Sequence, residues 1–233
     1  MLNSQLQQQG FVIRKADNEL REHLLASYRS ELMAFCDSWN DLPKDSYLLD
    51  GGNYRYRRYS VFGYQNKKLT ILPYEPHYQT LDYNNLHGGI NRHLEAWQQT
   101  SIDNPVLLEM IAWVMQQINS DAEQKWRIQS HQFRIVASAE STGKPTPEGV
   151  HKDGADYIFI MLMQRHNIEG GISGLYDNDR NLIEQGALEN LGDLALLNDK
   201  AVYHGVSEIS VVDKSKNGHR DVLVLTFHQD TKE

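Results

Sequence analysis

The sequence holds one cysteine, Cys36, in 233 residues. No internal disulfide can form, so the chain is not a small scaffold stapled by bridges. Cys36 sits among helix-patterned apolar residues and reads as a small core residue. Also missing is any apolar run approaching the ~20 residues that a membrane-spanning helix needs. The start, Met1-Leu2-Asn3-Ser4-Gln5, is polar with no apolar run behind it. No signal peptide is expected, and a cytoplasmic location is the default reading. Basic charge is in short supply: 23 Lys and Arg face 31 Asp and Glu, for a net charge of −8. Nucleic acid and anionic membrane both need a basic field, so neither is an expected partner. No internal repeat, coiled-coil heptad or low-complexity segment is visible.

What is present suits one large domain over residues 1–233. A helical and strand N-terminal part runs to about residue 122, and a β-rich core follows from about residue 123. Apolar residues make up 40% of the chain, enough for a sizeable core. Phe11-Val12-Ile13 reads as an edge strand. Asp17 or Asn18 can cap a helix in which Leu20, Leu24, Tyr28, Leu32, Phe35 and Trp39 recur every three or four residues. That helix is predicted to run for five or six turns and to end before Pro43. Tyr54–Phe62 alternates aromatic and basic residues and predicts a strand, with a second at Leu69–Leu72. A loop and a short helix near Ile90–Trp97 are expected next, with His77, His87 and His93 as surface or capping residues. Asn104-Pro105 opens a strongly apolar helix.

The β-rich remainder begins with a long strand, Trp126–Ser138. Gln132 and Arg134 share one face of it, and His131, Phe133 and Ile135 share the other. Tyr157–Met163 is apolar on both faces, so both sides should be covered. Short strands follow at about ten-residue spacing: 172–176, 181–184, 193–197, 201–209 and 221–228. Together they predict a mainly β fold, a double-sheet barrel with helices packed outside.

The chemistry centres on Pro147-Glu148-Gly149-Val150-His151-Lys152-Asp153. In extended chain His151 and Asp153 project to one face. With 10 His and 17 Asp in 233 residues, about 0.7 His-x-Asp matches arise by chance. There are three: His151/Asp153, His219/Asp221 and His228/Asp230. Only the first is followed by a long β-rich span and a strand-like histidine, His204, 51 residues after Asp153. Two imidazoles and one carboxylate leave half of an octahedron open, the ligand set of non-haem Fe(II) oxygenases. The last strand carries a second signal. Arg220, Val222, Val224 and Thr226 share one face, and Leu223, Leu225 and Phe227 the other. Arg220 is either a surface residue or a planar fork aimed at a carboxylate in the metal cavity.

This pattern resembles the Fe(II)- and 2-oxoglutarate-dependent dioxygenases. The motifs Pro-Glu-Gly-Val-His-Lys-Asp-Gly-Ala-Asp-Tyr, Tyr-His-Gly-Val and His-Arg-Asp-Val-Leu-Val-Leu-Thr-Phe resemble the bacterial branch that hydroxylates free amino acids such as L-isoleucine. Tyr-Arg-Tyr-Arg-Arg-Tyr and His-Gln-Phe-Arg are also similar to that branch, so the resemblance covers roughly residues 50–230. It implies a double-stranded β-helix, the cupin-like jelly roll. It implies Fe(II) on His151, Asp153 and His204, with 2-oxoglutarate as cosubstrate and its distal carboxylate on Arg220. O2 is the oxidant, ascorbate a supportive reductant, and succinate and carbon dioxide leave as the substrate C–H bond is hydroxylated. A small aliphatic L-amino acid needs two anchors and an apolar wall. Arg134, Arg55 and Arg57 are candidates for its carboxylate, Asp156 for its ammonium, and Tyr157, Phe159 or Met161 for the wall. A rival reading keeps the barrel and metal without oxygenation, as a cupin-like isomerase or a metal sensor. An anion anchor at Arg220 discriminates against it. Oligomeric state is not legible.

Overall fold

The computed structural model describes residues 2–15, 18–83, 86 and 88–230. Asp17 and His87 lie outside the described residues. The order is α1 (Leu2–Gln9), β1 (Phe11–Arg14), α2 (Glu19–Ser27), α3 (Arg29–Asp37), β2 (Arg55–Gln65), β3 (Lys68–Ile71), α4 (Gln99–Ile102) and α5 (Pro105–Gln117). Then come β4 (Trp126–Ala137), β5 (Tyr157–His166), β6 (Ile168–Gly170), β7 (Ile172–Tyr176), β8 (Leu182–Ala187), β9 (Leu194–Asn198), β10 (Tyr203–Val206), β11 (Ile209–Val211) and β12 (Gly218–Gln229).

One antiparallel sheet has the order β1-β9-β5-β12-β4-β2-β3. Strands from before and after residue 123 therefore share it. β12 is central because it is paired along its whole length, from Gly218 opposite Ala137 to Gln229 opposite Trp126. Its alternation sets the two faces. Leu223, Leu225 and Phe227 are fully buried under the helices with Phe159, Met161, Leu194 and Leu196. Val106, Leu107, Met110, Ile111 and Val114 of α5 complete that core. Burying each such side chain stabilises the fold by about 1.5–3 kcal/mol. The other face of the sheet looks across a cavity at smaller sheets, β10-β7-β8 and β11-β6. The large sheet, with helices outside it and the two smaller sheets facing it, makes the jelly roll.

Local signals explain the helix starts. The Asn18 side chain accepts from the Arg21 N–H, and the Asn104 side chain from the Val106 N–H with Pro105 behind it. The predicted single helix before Pro43 is instead α2 and α3, broken at Tyr28 (φ −138°, ψ 34°). The break lets Leu20 and Leu24 of α2 and Leu32 and Phe35 of α3 reach the same core. The helix expected at 90–97 does not form. Its backbone is committed sideways: His77 and Arg92 exchange two hydrogen bonds, and the Tyr59 N–H donates to Glu95. The helix α4 comes after it. The polar start forms α1, anchored by buried Leu6. The 201–209 strand divides into β10 and β11, and β6 was not predicted. Cys36 is half-buried, and burial pushes its thiol up to about 12, so it is an inert packing residue. No helix among the described residues is long and apolar enough to cross a membrane.

Candidate metal centre and its cavity

His151 and His204 are partners in an antiparallel bridge. They exchange backbone hydrogen bonds of 2.9 and 3.0 Å, which sets their rings side by side at 4.4 Å between centroids. Gly205 permits the close approach: a Cβ there would lie 3.3 Å from the Val150 Cα. The His151 Nδ1–H donates to the Gly149 carbonyl at 3.0 Å. That fixes the tautomer and turns Nε2 inward. There Nε2 lies 3.5 Å from Asp153 Oδ1, and His204 Nε2 lies 3.7 Å from Asp153 Oδ2. All three ligating atoms fall within 4.8 Å of one another. Such separations suit donors that each sit about 2.1 Å from one ion. Two nitrogens and one carboxylate fit a divalent iron centre.

The three groups bias one another's protonation. Burial works against a charged His151, yet Asp153 and Glu148 push it up to about 9. Burial and the adjacent His151 push His204 down to about 4. Burial alone would raise Asp153, but the two histidines hold it well below the ordinary carboxylate range.

Supporting groups hold the ligand loop. Gly154 (φ +79°) turns the chain just after Asp153. The Asp199 carboxylate accepts the backbone N–H groups of Asp153, Gly154 and Ala155 at 3.2, 2.7 and 3.0 Å. The Gln79 amide donates to Asp153 Oδ1 at 3.3 Å, and Arg92 donates to Gln79 at 2.9 Å.

The cavity wall is a grid of strand registers. One row across β2, β4 and β12 is Arg55, Ile135 and Arg220. The next is Arg57, Phe133 and Val222, and the third is Tyr59, His131 and Val224, with Ile160 of β5 opposite Val224. Arg55 and Arg220 thus stand two strand spacings apart, about 10 Å. Arg220 is 2% exposed, and its Nε and Nη2 have no hydrogen-bond partner among the described residues. Burial and Arg165 push it down to about 10, which still leaves it charged at neutral pH. Arg55 and Arg57 both pair with Asp45, at 2.7 and 2.8 Å, yet the Nη2 of each is unpartnered among the described residues. One carboxylate does not saturate two guanidinium groups, and Arg92 adds a third to the same cavity.

Of the site residues read from sequence, the fold brings His151, Asp153, His204, Arg220, Arg55 and Arg57 to this cavity. It does not bring five others. Arg134 lies on the far face, where it grips buried Asp221 through two 2.7 Å bonds. Asp156 is held by Lys200 and accepts the Gln229 N–H. Tyr157 packs against Trp126, and Phe159 is fully buried in the helix-side core with Met161. The wall residue on β5 is Ile160, one position out of phase with Phe159 and Met161. Strand alternation makes that one-residue difference a change of face. His77 is not a surface residue: it is 4% exposed and lines the cavity beside His131, their rings 4.7 Å apart. Burial, with Arg57 and Arg92 nearby, pushes both imidazoles well below the usual histidine value. His93 is exposed. Sequence reading also missed Gln79, Arg92, Glu148 and Asp199. Only Glu148 carried a signal, its place three residues before His151.

The chain is 27% identical over 206 residues to the 3(1)-hydroxy-L-isoleucine 4-dioxygenase of Pantoea ananatis, covering 84% of this chain and 83% of that one. It is 26% identical over 199 residues to the L-isoleucine-4-hydroxylase of Bacillus thuringiensis, covering 82% and 81%. Its fold matches the crystal structure of a bsmA homologue from Methylobium petroleophilum with a TM-score of 0.86 and 29% identity, over 100% of this chain and 93% of that one. The sequence model of one family, described as 2OG-Fe dioxygenase, spans residues 36–226, and the chain belongs to that family.

Proposed function

We propose that this enzyme hydroxylates a small free L-amino acid with an aliphatic side chain, of the isoleucine, leucine or methionine type. The family implies Fe(II), 2-oxoglutarate and O2. His151, Asp153 and His204 would hold the iron, and Arg220 would receive the distal carboxylate of 2-oxoglutarate. Bound iron and cosubstrate supply the oxidising power to insert oxygen into an unactivated C–H bond, with 2-oxoglutarate leaving as succinate and carbon dioxide. Ascorbate would support turnover by keeping the iron reduced.

The chain's own part is placement and dryness. Ile135, Phe133, Val222, Val224 and Ile160 make an apolar wall that keeps water from the reacting carbon. Arg55 and Arg57 would take the substrate carboxylate, because each keeps an unpartnered Nη2 after sharing Asp45. The observation that carries this reading is the pair of separated cationic stations on one cavity wall, Arg220 and the Arg55/Arg57 pair, with apolar residues between them. One suits a dicarboxylate cosubstrate and the other a small carboxylic acid. A metal sensor or cupin-like isomerase has no use for the orphaned guanidinium of Arg220. Both homologous enzymes named above act on isoleucine or its hydroxy derivative by name, which supports the substrate class.

The test is a panel of free L-amino acids scored by succinate release and product mass with Fe(II) and 2-oxoglutarate. Isoleucine, leucine and methionine should be accepted at graded rates, since one methylene separates substrates by only ~1–3 kcal/mol. Isoleucine amide should be far poorer than the free acid. His204→Ala should abolish turnover while the chain stays folded. Equal rates for acid and amide would remove the amino-acid reading and leave the family chemistry standing.

A further inference from the structure

We infer that Glu148 receives the substrate's ammonium group and makes the enzyme select zwitterionic α-amino acids over the matching 2-hydroxy acids. The inference rests on the amino-acid reading above and assigns the station that reading leaves empty.

Asp156 cannot serve, since Lys200 and the Gln229 N–H already hold it away from the cavity. Among the described residues two carboxylates line the cavity, Asp153 and Glu148. Asp153 faces both histidines of the metal centre. Glu148 is the one left over. Its side chain is 11% exposed, and its Oε2 is buried with no hydrogen-bond partner among the described residues. Its Oε1 lies 3.5 Å from His151 Nε2. That nitrogen is the metal-facing one, because Nδ1 is engaged with the Gly149 carbonyl. A nitrogen that gives its lone pair to a metal offers Glu148 no proton. Glu148 then keeps both oxygens free beside the metal, and no lysine or arginine forms an ion pair with it among the described residues.

A buried carboxylate oxygen that accepts no hydrogen bond is costly, so the site is built to receive a donor there. An ammonium brings three N–H donors, which matches the free lone pairs of a carboxylate. The cavity also offers the complementary pole. Arg55, Arg57 and Arg92 line it, and the Glu148 charge works against the burial that lowers Arg92. A zwitterion with carboxylate and ammonium on one carbon fits between such poles. A 2-hydroxy acid satisfies the arginines and leaves Glu148 unpaired. Discrimination by an unpaired buried group is large, as in sites built to bond one substrate hydroxyl or amine.

The experiment uses enzyme loaded with Fe(II) and 2-oxoglutarate in the absence of O2. Binding of L-isoleucine and of (2S,3S)-2-hydroxy-3-methylpentanoate is measured by calorimetry for the native chain, Glu148→Gln and Glu148→Asp. The native chain should bind L-isoleucine at least ~30-fold more tightly than the hydroxy acid, the loss typical of one broken buried charge pair. Glu148→Gln should lose that preference through weaker L-isoleucine binding, with Fe(II) and 2-oxoglutarate affinities unchanged. Glu148→Asp, which keeps the charge, should retain part of it. L-Isoleucine binding equal in Glu148→Gln and the native chain overturns the assignment alone. A parallel loss of Fe(II) affinity also overturns it and moves Glu148 to the metal centre. If the native chain binds none of isoleucine, leucine and methionine, the amino-acid reading falls and takes this inference with it.

Discussion

Gly154 donates its backbone N–H to the Asp199 carboxylate at 2.7 Å, and the amides on either side of it point at the same group. One buried aspartate therefore shapes the turn that presents Asp153. Asp199 is 2% exposed and bonds the ligand loop through the loop's backbone amides. Its replacement by Ala leaves the buried Ala155 N–H without its acceptor, at about 1–3 kcal/mol, and frees two part-buried amides. Asp199→Ala should lower chain stability by that order in urea unfolding. It should also weaken Fe(II) binding by roughly 10–100-fold, the usual effect of losing a group that orients a ligand. Unchanged Fe(II) affinity would show that the turn holds without it.

Arg220 offers a sharper test, that of the proposed cosubstrate station. Its guanidinium is buried in the cavity wall, and its Nε and Nη2 meet no acceptor among the described residues. Arg220→Ala should raise the half-saturating 2-oxoglutarate concentration by at least ~30-fold, with much less effect on Fe(II) affinity. An unaltered 2-oxoglutarate dependence in steady-state succinate release would rule the role out.

Asp45 gives a pH signature. Burial alone would raise its pKa, but Arg57 and Arg55 outweigh burial and hold it below the usual value. A carboxyl lowered in the folded state contributes stability above its unfolded pKa of about 3.9, and that contribution is lost as pH falls below it. Asp45→Asn should flatten the acid limb of the stability curve below about pH 4. At neutral pH it should cost about 3–5 kcal/mol, because two buried arginines lose their counter-charge. Chemical denaturation from pH 7 to pH 3 measures both effects. An acid limb as steep as the native one would exclude Asp45 as its source.

Arg134 should behave as a structural residue. Its partner Asp221 is fully buried, so Arg134→Ala strands a charge and should destabilise the chain by about 3–5 kcal/mol. Saturation by L-isoleucine should be unaltered at temperatures where the variant is folded. A variant that folds normally but no longer saturates would restore Arg134 to the substrate site.

Much of this protein is legible in its sequence because the governing forces act over a few residues. Asn18 and Asn104 cap helices through side chains that reach only the next turn. The division of β12 into Arg220, Val222, Val224 and Thr226 against Leu223, Leu225 and Phe227 follows from the two-residue period of any strand. The placement of His151 and Asp153 on one face is equally local. Tertiary structure decided the rest. Alternation shows that Arg134 and His131 face opposite ways, but not which way is the cavity. That depends on which side of the sheet α5 covers. Tyr157–Met163 is apolar on both faces, so only its register against β12 makes Ile160 a wall residue and Phe159 a core residue. His77, Gln79 and Arg92 reach the cavity through a backbone exchange between residues 77 and 92 that no periodicity marks. Buried charge obeys the same limit. Asp45, Asp199 and Glu148 look like surface residues one at a time. Each becomes a structural or binding group only where the fold removes water and sets its partner within about 3 Å, or leaves it with none.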